Sequence, residues 1–139
     1  MNIKQVIVMR SDLKNTKGEK VRTGKLMAQA AHASMAFLTN NIARQEFDYV
    51  EDDCHGVLIY LKDAEVVWLN NIYTKIVLKV NSGAELLAVY DAANAAGLTV
   101  HLVTDAGLTE FANPTTTCLA IGPDEAEKID AVTRNLSLY

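Results

Sequence analysis

Several residues and patterns that would identify a protein class are scarce or missing in this sequence. Its 139 residues include 2 cysteines and 2 prolines. Cys54 and Cys118 belong to no C-x-x-C pair, so the pattern gives no support to a zinc ribbon or a redox motif. Because the chain shows no export signal, we expect two free thiols, buried or half-buried, rather than a disulfide.

Long apolar runs are also missing. The longest, such as Val6–Met9 and Val57–Leu61, have the length of a strand, whereas a bilayer-spanning helix needs roughly 20 apolar residues. The N-terminal residues enter an apolar segment at once, with no basic leader and no small-residue cleavage site. We therefore expect a protein without a membrane segment that stays in the cytoplasm.

The apolar content is nevertheless sufficient for one hydrophobic core. Hydrophobic residues make up 50% of the chain and the net charge is −4, which excludes global disorder. No internal repeat, low-complexity tract or Pro/Ser-rich linker divides the sequence. At this length we expect residues 1–139 to form a single domain.

The charges are distributed unevenly. Residues 1–25 carry seven basic and two acidic side chains, so this segment has a net charge of +5 and the rest of the chain −9. A basic patch on an acidic body favours one focused anionic ligand over general coating of nucleic acid. A solvated, lysine-rich loop would give the same pattern, and charge alone does not decide between the two.

Hydrophobic periodicity and helix start signals predict alternating strands and helices. The predicted strands are Ile3–Met9, Lys75–Val80, Leu98–Thr104 and Thr116–Ile121, and the predicted helices run from Thr23 to about Asn41, from Asp63 to about Asn70, from Ser82 to Gly97, and from Asp124 onward. Right-handed crossovers make the first three strands parallel, and the loop before the fourth, which has no helical pattern, makes that strand antiparallel. The expected fold is an α/β domain with a four-stranded mixed sheet and helices on both faces.

The sequence also contains two helix start signals and one stretch that fits more than one structure. Ser82 with Glu85, and Asp124 with Glu127, have the spacing of capping boxes that open the last two helices. Residues 43–62 contain an exposed acidic run at 47–53, followed by Val57–Leu61, which could be a strand or a buried turn.

The first helix should present two distinct faces. Its expected apolar stripe consists of Met27, Ala30, Ser34, Phe37 and Leu38. Lys25, Gln29 and His32 fall at positions i, i+4 and i+7 and therefore share another face.

The topology brings reactive side chains to one edge of the sheet. Open α/β sheets place their sites at the carboxyl ends of parallel strands, where Lys25 begins a helix and Asp105 ends a strand. An antiparallel fourth strand begins at the same edge with Thr115, Thr116 and Thr117. A lysine, a carboxylate and hydroxyls beside a helix N-terminus suit a phosphate or a developing oxyanion. The alternative is that Asp105 caps a turn and Lys25 is a solvated first-turn residue.

A phosphate-binding P-loop is excluded at Gly24-Lys25. That motif needs G-x-x-x-x-G-K-[ST], but five residues separate Gly18 from Gly24, and Leu26 replaces the hydroxyl residue.

Ordered motifs carry a family resemblance over most of the chain. Arg10-Ser11-Asp12-Leu13-Lys14, followed by Gly24-Lys25-Leu26-Met27-Ala28-Gln29-Ala30-Ala31-His32-Ala33, resembles the opening of the type 2 peptidyl-tRNA hydrolases. The second half agrees at Lys75–Val80, at Asp105-Ala106-Gly107-Leu108-Thr109, and at Leu119-Ala120-Ile121-Gly122-Pro123. Residues 15–22 and 43–62 fall outside the likeness.

The resemblance implies an enzyme that cleaves the ester between a peptide, or an N-blocked amino acid, and the 3′ ribose of tRNA, with no metal and no other cofactor. It implies a catalytic role for Lys25, Asp105, Thr109 and Thr117, and a supporting role for Gln29 and His32. Asp105 would orient or deprotonate a water while Lys25 steadies the oxyanion or a terminal phosphate. The basic loop would hold the tRNA backbone through Arg10, Lys14, Lys17, Lys20 and Arg22, and the resemblance also allows a homodimer.

Departures from the family pattern keep other functions open. Many members have Arg where this chain has Leu108, so one tRNA contact is removed. Many members have Gln where this chain has Glu110, whose negative charge opposes a tRNA contact. The run Asp105–Phe111 looks like a bacterial or phage-type branch. The alternatives are a non-catalytic relative that binds the tRNA or RNA end, and an interaction module that uses the acidic 47–53 segment.

Overall fold

The computed structural model describes residues 2–42 and 45–139. Along these ranges the elements are β1 (Ile3–Arg10), α1 (Thr23–Ile42), β2 (Asp48–Glu51), β3 (Cys54–Gly56), α2 (Asp63–Leu69), β4 (Lys75–Val80), α3 (Gly83–Ala95), β5 (Val100–Asp105), β6 (Thr115–Glu125), α4 (Ala126–Thr133) and β7 (Ser137–Leu138). The α/β class and the order of the main strands and helices are as expected from the sequence. Nowhere in the described ranges is a helix both long and apolar enough to cross a membrane.

The main sheet is mixed and its strands lie in the order β5-β6-β1-β4-β7. β1 is parallel to β4, while β6 lies between β5 and β1 and is antiparallel to both. These pairings give β1, β4 and β5 the same direction, as the crossover rule predicts.

The expected number of four strands is wrong. β7 pairs with β4 and adds a fifth strand at the edge, and β2 and β3 form a separate two-stranded sheet. The sequence pattern missed them because β7 is two residues long and because β2 and β3 are exposed along most of their length. Such strands do not show the alternation that burial on one face produces.

The sheet is covered by helices on both faces. Alternate residues of β1 enter different clusters: Val6 and Val8 pack with Leu86 of α3 and Ile129 of α4, whereas Ile7 packs with residues of α1. Leu86 and Ile129 are fully buried, and burying a side chain of this size stabilises the fold by about 1.5–3 kcal/mol.

The buried face of α1 includes Phe37 of the expected stripe but not Met27. Its buried residues are Gln29, Ala33, Ala36 and Phe37, and the side chain expected to lead the apolar stripe, Met27, is 68% exposed. Ala30 and Leu38 of the predicted stripe pack against the core, while Gln29 is a buried position that the stripe did not include. Small alanines on the buried face let the helix lie close to the sheet.

The basic segment between β1 and α1 is an ordered hairpin-like loop. Its two sides are joined by backbone bonds from Val21 N–H to Leu13 O and from Asn15 N–H to Glu19 O, at 3.2 and 2.8 Å. Leu13 and Val21 are buried in the core on the α1 side. This anchoring directs the side chains of the intervening lysines outward.

Three local expectations are corrected by the structure. Val57–Leu61 is neither a strand nor fully buried, and residues 43 and 44 of that stretch lie outside the described residues. Ser82 does cap α3 by accepting a bond from Glu85 N–H at 3.1 Å, but no side chain caps α4. Both cysteines are free as expected, although Cys54 is exposed rather than half-buried.

Candidate active site

The site is centred on an ion pair between the first turn of α1 and the end of β5. Lys25 Nζ lies 2.7 Å from Asp105 Oδ2, and the two side chains are 17% and 11% exposed. The predicted convergence at this edge of the sheet is therefore present. Because both groups are largely shielded from water, the pair is held in one geometry rather than solvated separately.

Asp105 accepts two further hydrogen bonds. Gly107 N–H donates to Oδ1 at 2.9 Å, and the Gln29 side-chain amide donates to Oδ2 at 3.2 Å. The Lys25 ammonium, assisted by these donors, holds the pKa of Asp105 below its usual range. Asp105 therefore remains a carboxylate throughout the neutral range.

The turn that supplies the Gly107 N–H requires glycine. Gly107 has φ +79°, and a Cβ at this position would lie 2.5 Å from the carbonyl carbon of Asn113. Both the backbone conformation and the available space exclude a larger residue.

Thr117 contacts this cluster from its buried side, through Gln29. It is fully buried, and its hydroxyl donates to Gln29 Oε1 at 2.6 Å. Since the Gln29 carbonyl oxygen is thereby occupied, its NH₂ group is the end that faces Asp105. Behind it, Cys118 Sγ donates to Gln29 O at 3.4 Å, and burial raises the pKa of this thiol to about 11.

Thr109 lies on the open side of the cluster. It is exposed, and its Oγ1 accepts a hydrogen bond from Lys25 Nζ at 3.1 Å. A cavity of about 400 Å³ opens here, lined by Arg22, Gly24, Lys25, Thr109 and Glu110. The Phe111 ring, with its centroid 5.9 Å from Lys25 Nζ, packs beneath the ammonium group.

His32 is not brought into the cluster. It is exposed on α1, and within residues 2–42 and 45–139 no hydrogen bond joins it to Lys25, Gln29 or Asp105. Its spacing of i+7 from Lys25 was correct for a shared helix face, but Gln29 occupies the part of that face that turns inward.

Arg10 is committed to contacts within the protein. Its guanidinium forms two bonds to the Asp12 carboxylate, at 2.9 and 2.8 Å, and donates to Thr116 O at 3.0 Å. The Asp12 carboxylate raises the pKa of Arg10 further. The side chain joins the end of β1 to the start of β6, which is a bracing position rather than an exposed one.

The other basic residues expected to bind tRNA are exposed. Lys14 and Lys20 face each other as partners of an isolated antiparallel bridge, and Lys17 lies at the tip of the same loop. Arg22 lies at the cavity, where its Nη2 is 2.9 Å from Glu110 Oε1.

Glu110 and Phe111 are parts of the site that sequence reasoning did not assign to it. Glu110 was expected to oppose tRNA, yet its carboxylate is paired with Arg22. No local pattern connects residues 22 and 110, because the β5–β6 turn has to be placed before their proximity is visible.

Comparison with known proteins places this geometry in a family. The family model described as Peptidyl-tRNA hydrolase PTH2 matches residues 3–139. The chain belongs to the PTH2 family. It is 40% identical over 136 residues to "Peptidyl-tRNA hydrolase" of Methanothermobacter thermautotrophicus, covering 98% of this chain and 99% of that protein.

Other PTH2 relatives show similar agreement. The "Peptidyl-tRNA hydrolase" of Methanopyrus kandleri is 43% identical over 136 residues, which are 97% of each chain. The "Probable peptidyl-tRNA hydrolase 2" of Dictyostelium discoideum is 38% identical over 139 residues, covering 98% of this chain and 54% of that longer protein. These archaeal and amoebal relatives give no support to a bacterial or phage-type branch, which stays a prediction.

Proposed function

We propose that this protein hydrolyses the ester that links a peptidyl or N-blocked aminoacyl group to the 3′ end of tRNA, and so recycles peptidyl-tRNA. The observation that carries the proposal is the Lys25–Asp105 pair at the mouth of a cavity, in a chain that matches the PTH2 family along nearly its whole length. An ester is an activated substrate, so positioning and one oxyanion donor can supply much of the required rate.

Each polar group then has a distinct role in the reaction. The Lys25 ammonium has three protons: one faces Asp105, one faces Thr109, and the third can stabilise the tetrahedral oxyanion. A water oxygen bonds to the ester carbonyl carbon, the bond to the ribose 3′ oxygen breaks, and that oxygen takes up a proton. Asp105 receives the water's proton, directly or through the Thr109 hydroxyl, and passes it to the departing ribose 3′ oxygen, which regenerates the carboxylate.

Gln29 and Thr117 support this centre without reaching the substrate. The bond from Thr117 to Gln29 fixes the amide, and the amide holds Asp105 in place for Lys25. We propose a positioning role for both. His32 has no part in this arrangement.

The basic loop is the proposed contact for the tRNA backbone. Lys14 and Lys20 lie directly opposite each other, and like charges in such a position disfavour the folded loop unless an anion binds between them. A run of phosphates is such an anion, which supports tRNA contacts by Lys14, Lys17, Lys20 and Arg22. Arg10, bound to Asp12, contributes by bracing the strand ends.

The remaining parts of the proposal follow from the substrate and the resemblance. Residues 1–139 act as one catalytic domain in the cytoplasm, where peptidyl-tRNA is produced, and need no metal or other cofactor. A homodimer is an option that light scattering on the purified protein would test. The alternative function is binding of a tRNA or RNA end without cleavage.

Single-turnover cleavage of N-acetyl-aminoacyl-tRNA in EDTA tests the proposal. Asp105→Asn and Lys25→Ala should each slow cleavage at least about a hundredfold, because each removes a group at the reacting centre. Lys4→Ala and Asp130→Asn are matched controls. They break another Lys–Asp ion pair, which has an N–O distance of 2.6 Å and lies away from the site. Wild-type protein that binds the tRNA without cleaving it would instead support the binding alternative.

A further inference from the structure

The ion pair between Arg22 and Glu110 has an unusual asymmetry. Both Nε and Nη2 of Arg22 contact the same carboxylate oxygen, Glu110 Oε1, at 3.0 and 2.9 Å. The Glu110 side chain is 11% exposed, whereas the Arg22 side chain is 82% exposed. The glutamate is thus the fixed partner, and the arginine extends from it into solvent.

Glu110 occupies this position at a cost in stability. Its second carboxylate oxygen, Oε2, is buried and has no hydrogen-bond partner among the residues that the structure describes. A buried carboxylate oxygen without a partner disfavours folding, and such groups in native proteins often have a functional reason. The contact that the Glu110 carboxylate does make is the one to Arg22.

Arg22 lies close to Lys25 at the start of α1. Lys25 N–H donates to Arg22 O at 3.0 Å, so both side chains leave the same turn at the start of α1. Both line the cavity of about 400 Å³, together with Thr109 and Glu110. In the described part of the chain no second protein group pairs with the Arg22 guanidinium, so its other N–H donors remain available.

We propose that Glu110 is a positioning residue that holds Arg22 for binding the phosphodiester nearest the ester, the one joining the last two nucleotides of the substrate. This inference rests on the proposed hydrolase function. Lys25 lies at the ester and Arg22 lies beside it, which matches a substrate whose ester and nearest phosphate are attached to the same ribose. A guanidinium with free N–H donors is well suited to the paired oxygens of a phosphate.

The direction in which Glu110→Met changes KM distinguishes positioning of Arg22 from simple repulsion between Glu110 and the tRNA. If Glu110 acted on the tRNA only through its negative charge, Glu110→Met would lower KM. If Glu110 positions Arg22, the same variant should raise KM about five- to tenfold with kcat little changed, since one charged hydrogen-bonding contact is weakened. Glu110→Gln retains an acceptor oxygen for Arg22 and should fall between wild type and Glu110→Met.

The experiment compares two small substrates with and without a phosphate. One is the N-acetyl-aminoacyl 3′ ester of adenosine, and the other is the same ester on the dinucleotide cytidylyl-adenosine. Arg22→Ala and Glu110→Met should raise KM for the dinucleotide ester and leave the adenosine ester unaffected. In the double variant, loss of Glu110 should add nothing once Arg22 is gone, because the two residues act as a unit.

Different results would contradict the positioning role of Glu110 and the hydrolase function, and two control variants accompany the test. Arg134→Ala, just after α4, and Glu127→Met, within α4, make the same changes at exposed positions and should leave both KM values unchanged. Equal effects of the site variants on both esters, or a lower KM for Glu110→Met, would overturn the positioning role. Failure of wild-type protein to cleave either ester or the full tRNA would overturn the hydrolase function itself. If Glu110→Met fails to fold, Arg22→Ala carries the comparison, because the Arg22 side chain is exposed.

Discussion

The hydroxyl of Thr117 is buried yet decides the orientation of a group at the reacting centre. Thr117→Val should leave Gln29 Oε1 without its donor at 2.6 Å, so the amide no longer presents its NH₂ group to Asp105 in a fixed way. Loss of one such hydrogen bond costs about 1–1.5 kcal/mol, which corresponds to roughly a tenfold decrease in kcat with little change in KM.

Thr117→Ser is the matched variant, because it retains the hydroxyl and loses a methyl group. Steady-state kinetics should show near wild-type kcat for serine and the decrease for valine. If serine and valine are equally impaired, packing at Thr117 matters and the hydrogen bond to Gln29 does not.

The ionisation of Asp105 predicts how stability and activity change with pH. Its pKa is lowered in the folded protein, chiefly by Lys25 and then by Gly107 N–H. A carboxylate with a lowered folded pKa contributes stability above its unfolded pKa of about 4, and this contribution is lost as pH falls through the lower folded value. The difference in unfolding free energy between wild type and Asp105→Asn should therefore be constant from pH 7 to about 4.5 and shrink below that.

Urea unfolding of the two proteins at several pH values measures this difference. Lys4→Ala is the control, because it removes the partner of the exposed Asp130. Its unfolding free energy shows how much acid changes the contribution of a surface ion pair. If wild type instead gained stability relative to Asp105→Asn as the pH fell below about 6, the Asp105 pKa would be raised in the folded protein, and Lys25 would not be holding this carboxyl group ionised.

In the loop between β1 and α1, the two lysines that should favour tRNA binding should also lower the stability of the fold. Lys14 and Lys20 are cross-strand partners of like charge, so replacing both with alanine should stabilise the fold slightly, by about 0.2–1 kcal/mol. The same change should weaken tRNA binding. It should also reduce the slope of log affinity against log salt concentration by one to two units, because up to two phosphate contacts are lost.

Thermal unfolding and salt titrations of tRNA binding test both effects on the same variant. Lys79→Ala with Lys128→Ala removes two exposed lysines elsewhere and serves as the control. An unchanged salt slope would assign the phosphate contacts to another surface.

The element α1 shows how far sequence reasoning reaches and where it stops. Its start near Thr23 and the shared face of Lys25 and Gln29 follow from spacing alone, and the structure confirms the start. Its buried face was predicted from apolarity, which favoured Met27 and gave no weight to the inward position of Gln29. A buried polar residue is recognisable only when its partners, here Asp105 and Thr117, are placed in space.

At the scale of the whole molecule, the rules for connections between strands predicted where the site lies better than which residues form it. Right-handed crossovers place the ends of β1 and β5 and the start of β6 at one edge, so Lys25 and Asp105 meet. The same rules say nothing about side-chain pairs between loops, which is why the Arg22–Glu110 contact and the internal use of Arg10 were not foreseen.

The acidic hairpin formed by β2 and β3 is separate from the rest of this architecture. Among the helices and strands of the described ranges, β2 and β3 contact only each other. The hairpin follows α1, whose 20 residues place its C-terminal end about 30 Å from the end that carries Lys25. We therefore expect the hairpin to contribute neither to the core nor to ester hydrolysis.

Shortening the hairpin tests this separation. Asp48 and Gly56 are register partners, so Tyr49–His55 can be replaced by an Asn-Gly turn without moving the chain ends apart. The melting temperature should stay within about 2 °C of wild type and single-turnover cleavage should be unchanged, because no buried side chain or site residue is removed. The matched control shortens the basic loop instead, and it should retain the fold while losing tRNA affinity. If the shortened hairpin slows cleavage, the acidic segment takes part in substrate binding; if cleavage is preserved but the protein fails to replace wild type in cells, the hairpin is the surface that serves a separate interaction.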